Sequence, residues 1–193
     1  RRWGHPRSPP PVALALGLAP RPRSRARHPH PVKPPGRRIL HVSTFAHPDQ
    51  HGGAERVVHG LAAAQAMLGH RVTLLTGNHD RRPARETRDG IEVRRYPVPA
   101  GRRGLGFYRA VSGACARALR ALAAQPFDVL HAHQVASAAV ALDARRVASR
   151  HIFSFYAPYA QEMAVGRVDD WRQRLLRRGA AWLDRRCLRR ADR

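Results

Sequence analysis

The stretch Arg38-Ile-Leu-His-Val-Ser-Thr-Phe-Ala-His-Pro-Asp-Gln-His-Gly-Gly-Ala-Glu-Arg56 decides the fold. Ile39-Leu-His-Val42 is a short apolar run with a β-branched residue at each end, which suits a buried strand. A glycine-bearing loop follows. From about Ala54, the residues Val57, Val58, Leu61, Ala64 and Leu68 recur at helical spacing, and Gly69-His70 ends the run as a C-cap glycine would. Strand, loop and helix in that order open an α/β domain.

The same texture continues downstream. Arg71-Val-Thr-Leu-Leu-Thr76 reads as a strand and Gly77-Asn78 as a turn. Residues 78–90 are polar and charged, hence loop, and Ile91-Glu-Val-Arg-Arg-Tyr96 is a strand stopped by Pro97 and Pro99. A long helix over 105–124 presents Tyr108, Val111, Cys115, Leu119 and Leu122 on one face, and Pro126 breaks it. A strand over 127–131, a helix over 135–149, a strand over 151–155 and a helix over 171–190 complete the alternation. The expectation is an α/β fold: a Rossmann-like parallel sheet flanked by helices over 38–193, preceded by a disordered tail over 1–37.

The tail is distinct in composition. Residues 1–38 hold ten of the 36 basic residues, none of the 13 acidic ones and ten of the 16 prolines. Its apolar segment Val12–Ala19 is short and flanked by prolines, a poor secretory signal core. The chain opens on Arg1 rather than Met, which suggests a fragment, a processed product or an over-extended frame. No apolar run approaches the roughly 18 to 20 residues of a membrane-spanning helix, and a cytoplasmic location is expected. Two cysteines exclude a disulfide-dense scaffold and a four-thiolate zinc site. The net charge of +23 suggests a polyanionic partner without naming one.

Ligands of such sheets bind beyond the carboxyl ends of the strands. Gly52 and Gly53, just before the first helix, allow close approach to the backbone, and the helix end favours an anionic group such as a diphosphate. A tight turn with glycines for packing alone fits the spacing equally well. The loop is neither Gly-x-Gly-x-x-Gly nor Gly-x4-Gly-Lys-Ser/Thr, which counts against nicotinamide enzymes and P-loop ATPases. In Asp128-Val-Leu-His-Ala-His133, the two histidines are expected to face opposite sides of the strand, with at most His133 turned to the cleft as a substrate contact or a structural histidine. His41, His47, His51 and His59 show no ligand spacing, and no metal site is expected. Phe153-Ser-Phe-Tyr-Ala-Pro-Tyr-Ala-Gln-Glu162 offers Tyr156 as a hydrogen-bonding group, with aromatic packing under a loop as the plainer alternative. Glu55, His133, Tyr156 and Glu162 are the candidates for polar contact with a ligand. On the helix 171–190, Trp171, Leu175, Gly179 and Trp182 or Leu183, continued by Cys187 and Leu188, mark one face against eight arginines. It reads as a domain-covering helix with a solvated arginine face, or less favourably as a peripheral contact with the inner face of a membrane.

In order, Arg38-Ile-Leu-His-Val-Ser-Thr44, Gly52-Gly-Ala-Glu-Arg56, Leu61-Ala-Ala-Ala64, Gly69-His-Arg-Val-Thr-Leu-Leu-Thr76, Asp89-Gly-Ile-Glu-Val93, Phe127-Asp-Val-Leu-His-Ala-His133 and the Phe-Tyr-Ala-Pro-Tyr segment carry a family resemblance. Residues 38–193 resemble the N-terminal domain of the family-4 retaining glycosyltransferases of GT-B fold. The resemblance implies two facing Rossmann-like lobes, the first binding mainly the acceptor and the second the nucleotide-sugar. It implies that Gly52 and Gly53 approach the donor diphosphate, and that the nucleotide-sugar is a substrate with no further cofactor. The acceptor would be a glycan, a lipid-linked sugar or a small molecule; the resemblance makes Glu55, His133, Tyr156 and Glu162 candidates for acceptor or sugar contact, and no general base is identifiable. Tyr156 stands where the family often has a histidine, and the donor lobe with its Glu-x7-Glu pattern does not appear before Arg193. A lone lobe is expected to be inactive. The rival readings are an arginine-rich nucleic-acid-binding module on a Rossmann-like scaffold and a Rossmann oxidoreductase. No nucleic-acid motif supports the first, and the first loop is wrong for the second.

Overall fold

A computed structural model describes residues 36–50, 52–99, 104–162 and 171–192. The expected tail lies outside the described residues apart from Gly36 and Arg37, as does His51. In chain order the elements are β1 (Arg38–Val42), α1 (Gly53–Met67), β2 (Arg71–Asn78), β3 (Arg85–Arg88), β4 (Ile91–Pro97), α2 (Gly104–Leu122), β5 (Phe127–Ala132), α3 (Val135–Ala141), β6 (Ala148–Phe153), α4 (Tyr159–Glu162) and α5 (Trp171–Arg190).

The strands form one six-stranded sheet in the order β3-β4-β2-β1-β5-β6. All neighbours run parallel except β3, which is antiparallel to β4. From β1 the chain first winds outward through β2 to β4, then returns to the other side of β1 to add β5 and β6. The winding direction therefore reverses between β1 and β5, and the loops leaving their carboxyl ends lead to helices on opposite faces of the sheet, with a crevice between them.

Alternation along the strands sorts side chains to two faces. Leu40 and Val42 of β1, Leu75 of β2 and Leu130 and Ala132 of β5 join Val111, Cys115 and Leu119 of α2, Ala138 and Ala141 of α3 and Cys187 of α5 in the larger core. Val72 and Leu74 of β2 and Ile91 and Val93 of β4 pack against Val58 and Ala62 of α1 on the opposite face. The sheet is thus covered by α2, α3 and α5 on one side and by α1 on the other.

Several local expectations change. Residues 78–90 are not all loop: Arg85–Arg88 pairs antiparallel with β4 around Asp89 and Gly90, whose φ values are 50° and 75°. An Asp-Gly pair with two positive φ angles is the two-residue hairpin turn whose twist matches that of the flanking strands. The helix expected over 135–149 stops at Ala141, and the last strand begins at Ala148, because Phe127 pairs with Ala148 at the start of the β5–β6 ladder. On α1 the buried positions are Val58 and Ala62, whereas Val57 and Leu68 are exposed. Gly69 does cap that helix, with φ 91°.

Candidate functional site

Thr44 and Phe45 after β1, Gly53 to Glu55 at the start of α1, Gln134 to Ala136 after β5 and Phe153 to Ala157 after β6 surround a cavity of about 380 Å³ at the crevice, with Tyr108 and Tyr159 on its wall. Six of its lining residues are aromatic: Phe45, Tyr108, Phe153, Phe155, Tyr156 and Tyr159. None of the described residues lining it is basic, although the chain carries a net charge of +23. Among the described lining residues the one formal charge is the carboxylate of Glu55.

Gln134 is the hub of the polar wall. It sits at the N-cap of α3 with φ 50° and ψ 118°, a region a side-chain-bearing residue seldom occupies. Its Oε1 accepts from the Phe45 amide at 2.8 Å and from Ser43 Oγ at 3.0 Å, and its Nε2 donates to Glu55 Oε1 at 2.7 Å. One side chain therefore joins the loops after β1 and β5 to the first turn of α1. The loop after β1 is held from its other side by Asp49, which takes two bonds from the buried Arg95 of β4, at 2.6 and 3.2 Å. Arg95 also donates to Glu86 of β3 at 2.7 Å. Burial works against its charge, but the hydrogen bonds and charges of Asp49 and Glu86 more than offset that and keep the guanidinium protonated.

The two glycines play different parts. Gly52 is the N-cap of α1 in extended conformation and Gly53 the first helical residue. A Cβ on Gly52 would lie 1.9 Å from Glu55 Oε2, so the carboxylate folds back over this glycine. A Cβ on Gly53 would meet nothing within 4 Å. The open amide edge at the head of the helix is thus at Gly53, next to a carboxylate that already occupies part of the positive end of the helix dipole.

Beneath the cavity, on the α1 face of the sheet, three imidazoles are packed together. The expectation that His131 and His133 face opposite sides is wrong: residues two apart in a strand share a face. Their rings lie 4.2 Å apart, each 5.3 Å from that of His41, and potential ligand atoms of the three lie within 4.8 Å of one another. Among the described residues this trio is the one geometric departure from the no-metal expectation, and hydrogen bonds occupy five of its six ring nitrogens. His41 Nδ1 meets His133 Nε2 at 3.0 Å, and His41 Nε2 meets Gln65 Oε1 at 2.7 Å. His131 Nε2 meets Ser154 Oγ at 2.8 Å, and His133 Nδ1 meets the Tyr156 hydroxyl at 3.0 Å. Burial, and then the charges the neighbouring rings would carry, hold His131 down at about 4 and His133 lower still, so both are neutral near pH 7. Burial likewise lowers His41 despite its bond to Gln65. Tyr156 ionises above the usual phenol range, first because burial opposes the phenolate; a hydrogen bond with Ser154 works against that rise and the nearby Glu55 charge adds to it.

Of the residues singled out in the sequence, Gly53, Glu55 and Tyr156 line the cavity. Gly52 lies beneath the Glu55 carboxylate, and His133 is fully buried, touching the cavity only through Tyr156. Glu162 ends α4, and its side chain lies outside the described residues. Sequence reading found the Phe153–Tyr159 part of the aromatic wall and missed Gln134, Gln65 and the places of Phe45 and Tyr108 in that wall. Gln134 follows His-Ala-His133 directly at the end of β5, where the strand-end rule points.

The α5 helix also differs from expectation. Ala180, Asp184 and Cys187 form its buried side. Trp171, Leu175 and Trp182 are exposed on the opposite side, flanked by the exposed Arg178, Arg185 and Arg189. Among the described residues no helix is long and apolar enough to cross a membrane.

Residues 52–193 match the glycosyl transferase 4-like domain family, and the chain belongs to that family. Solved structures with the same fold include sucrose-phosphate synthase from Thermosynechococcus elongatus, at 15% identity and a TM-score of 0.58 over 75% of this chain. Another is the catalytic domain of starch synthase IV from Arabidopsis thaliana bound to ADP and acarbose, at 19% identity and a TM-score of 0.51 over 69% of this chain. The chain spans 40% and 38% of the lengths of these two proteins. No curated protein matches it by sequence.

Proposed function

We propose that residues 38–193 are the acceptor-side lobe of a retaining GT-B glycosyltransferase, which moves a sugar from a nucleotide-sugar to an acceptor hydroxyl. The cavity lining carries this reading. Aromatic faces, a tyrosine hydroxyl, a carboxylate and an amide, with no basic group among the described lining residues, suit a neutral polyhydroxylated ligand. They do not suit a polyanion, which counts against the nucleic-acid reading of the +23 charge. In this reading Glu55 and Tyr156 take acceptor hydroxyls, and His133 supports Tyr156 from below. The open edge at Gly53 faces the donor diphosphate, whose charge is met chiefly by a second lobe. The nucleotide-sugar is substrate, and no further cofactor takes part.

The match to a family of glycosyl transferase 4-like domains supports the reaction class, and the 40% coverage of a longer relative suits one lobe of two. The test is a panel of nucleotide-sugars and acceptor glycosides with the intact gene product, with the anomeric configuration of the product read by NMR. Transfer with retention is expected. Inversion, or no transfer with any pair, overturns the reading.

A second element of the proposal places the protein at the inner face of a membrane, where a lipid-linked acceptor would be presented. Its support is the exposed Trp171, Leu175 and Trp182 stripe with arginines beside it, an arrangement suited to an anionic lipid surface.

A further inference from the structure

The hydrogen bonds beneath the cavity include a run from α1 through the sheet layer to the pocket, Gln65, His41, His133, Tyr156, which a second arm from His131 through Ser154 joins at Tyr156. His41 and His133 are fully buried. A neutral imidazole carries one N–H donor and one bare acceptor nitrogen, so the direction of such a run is decided wherever one end is fixed. Gln65 turns its amide oxygen to His41, and that oxygen can only accept; the reversed amide would donate and point every bond of the run the other way, which the tautomers distinguish. His41 Nε2 therefore carries the proton and donates to Gln65 at 2.7 Å. His41 Nδ1 is then bare and accepts from His133 Nε2 at 3.0 Å. His133 Nδ1 is bare in turn and accepts the hydroxyl proton of Tyr156 at 3.0 Å.

We propose that Gln65 and His41 are positioning residues that act through His133 to commit the Tyr156 proton inward, so that the Tyr156 oxygen meets the cavity as a hydrogen-bond acceptor. This goes beyond naming Tyr156 as a contact: it assigns the polarity of that contact. A ligand reads it with an O–H or N–H donor. A ligand presenting only an ether or carbonyl oxygen meets lone pairs and is disfavoured about tenfold, the worth of one hydrogen bond. The half-exposed phenol belongs to the pocket, whereas Gln65 lies on α1 and is not among the residues lining the cavity. The inference rests on the proposed sugar-binding role of the cavity only for the identity of the ligand. The wiring itself does not depend on it.

The test uses the full 193-residue chain with 15N-labelled histidine. Long-range proton–nitrogen correlation spectra report the tautomer of each ring. The expected result is the Nε2–H form at both His41 and His133. Gln65→Leu removes the fixed end and is expected to give mixed tautomers at both rings, in a chain whose amide spectrum is otherwise unchanged. Gln65→Glu, whose carboxylate also only accepts, restores the Nε2–H form at both. A second readout is the ultraviolet titration of Tyr156, identified with Tyr156→Phe. In Gln65→Leu the phenol ionises about one pH unit lower, because His133 is freed to donate to the phenolate.

An Nδ1–H form at His133 in the unaltered chain overturns the proposal, as do tautomers that ignore the Gln65 substitutions. Stoichiometric uptake of Zn²⁺ that displaces the Nε2 protons also overturns it and makes the trio a ligand set. If the tautomers are as expected but no glycoside binds, the sugar-binding reading fails and the wiring stands.

Discussion

Gly52 and Gly53 are neighbours in the chain and differ in what they tolerate. Gly53→Ala adds a methyl group into open space at a position already helical. It should stabilise the fold by about 0.5–1 kcal/mol through the unfolded chain. If the donor passes this edge, the same substitution should cut glycosyl transfer by the intact protein at least about tenfold, since one misplaced contact at a reacting centre is worth that much. Melting temperature and turnover measured together separate the two effects, and unchanged turnover would remove Gly53 from the donor path. Gly52→Ala pushes the new carbon into the Glu55 carboxylate. That carboxylate ends a flexible side chain, so the cost is the lost Glu55–Gln134 bond, about 1 kcal/mol. Arg95 is less forgiving. Its side chain is 2% exposed and that of Asp49 is 4% exposed, so Arg95→Met leaves a buried carboxylate with only the half-exposed Arg82, 3.9 Å away, as its charge partner. The expected loss is about 3–5 kcal/mol by urea denaturation, and a loss below about 1 kcal/mol would mean that the pair does not anchor the loop.

At the scale of elements, β1 and β5 carry imidazoles where the rest of the α1 face carries Val, Ile and Leu, and this sets an acid limit on the fold. In the folded chain His131 stays neutral down to about 4 and His133 lower, whereas an unfolded histidine binds its proton near 6.5. Between those values the unfolded state holds protons that the folded state does not, so stability falls as pH drops from about 6.5 and is flat above it. Urea midpoints at pH 7.5, 6 and 5 should fall progressively. Ordinary carboxylates titrate lower, near pH 4, so loss in this window belongs to the histidines. A pH-independent midpoint would mean that the trio is solvated. The α5 helix carries its own test: Trp171, Leu175 and Trp182 lie within about 40° of one another around the helix axis. The chain should sediment with anionic vesicles and not with zwitterionic ones, and Trp171→Ala with Trp182→Ala should lose that binding while keeping the fold. Equal binding by the double variant would assign the association to arginine charge alone. The elements themselves were largely legible, because strand and helix periodicities differ and the apolar runs are short and well punctuated. What the periodicity hid was tertiary. Arg85–Arg88 has no apolar residue to mark it, and its signal was the Asp89-Gly90 turn. Gln134 and Gln65 are polar residues whose importance lies in bonds to Glu55 and His41, which no spacing rule brings together. The histidine trio needed only the two-residue period of a strand for its β5 half, and the β1–β5 pairing for the rest.

On the scale of the whole molecule, charge and cavity disagree, and the disagreement predicts how the chain behaves alone. A net charge of +23 attracts any anion to the surface, nucleotide-sugars included. The cavity, by contrast, offers the diphosphate no basic side chain among its described lining residues, only the helix end at Gly53 beside the Glu55 carboxylate. On the proposed reading, a donor held at scattered surface arginines is not aligned with an acceptor in the crevice, and the orientation that makes the reaction effectively unimolecular is lost. The purified 193-residue chain should therefore bind nucleotide-sugar at low salt and release it at about 0.5 M salt, where interactions between exposed charges are screened within several ångströms. It should keep a weak affinity for neutral acceptor glycosides at both salt concentrations, since that contact is aromatic and hydrogen-bonded rather than ionic. It should transfer no sugar under either condition. Ligand-observed NMR at the two salt concentrations, with a transfer assay on the same samples, reads all three outcomes. Salt-resistant nucleotide-sugar binding with measurable transfer would show that this lobe holds the donor by itself, and the division of labour between two lobes would have to be abandoned.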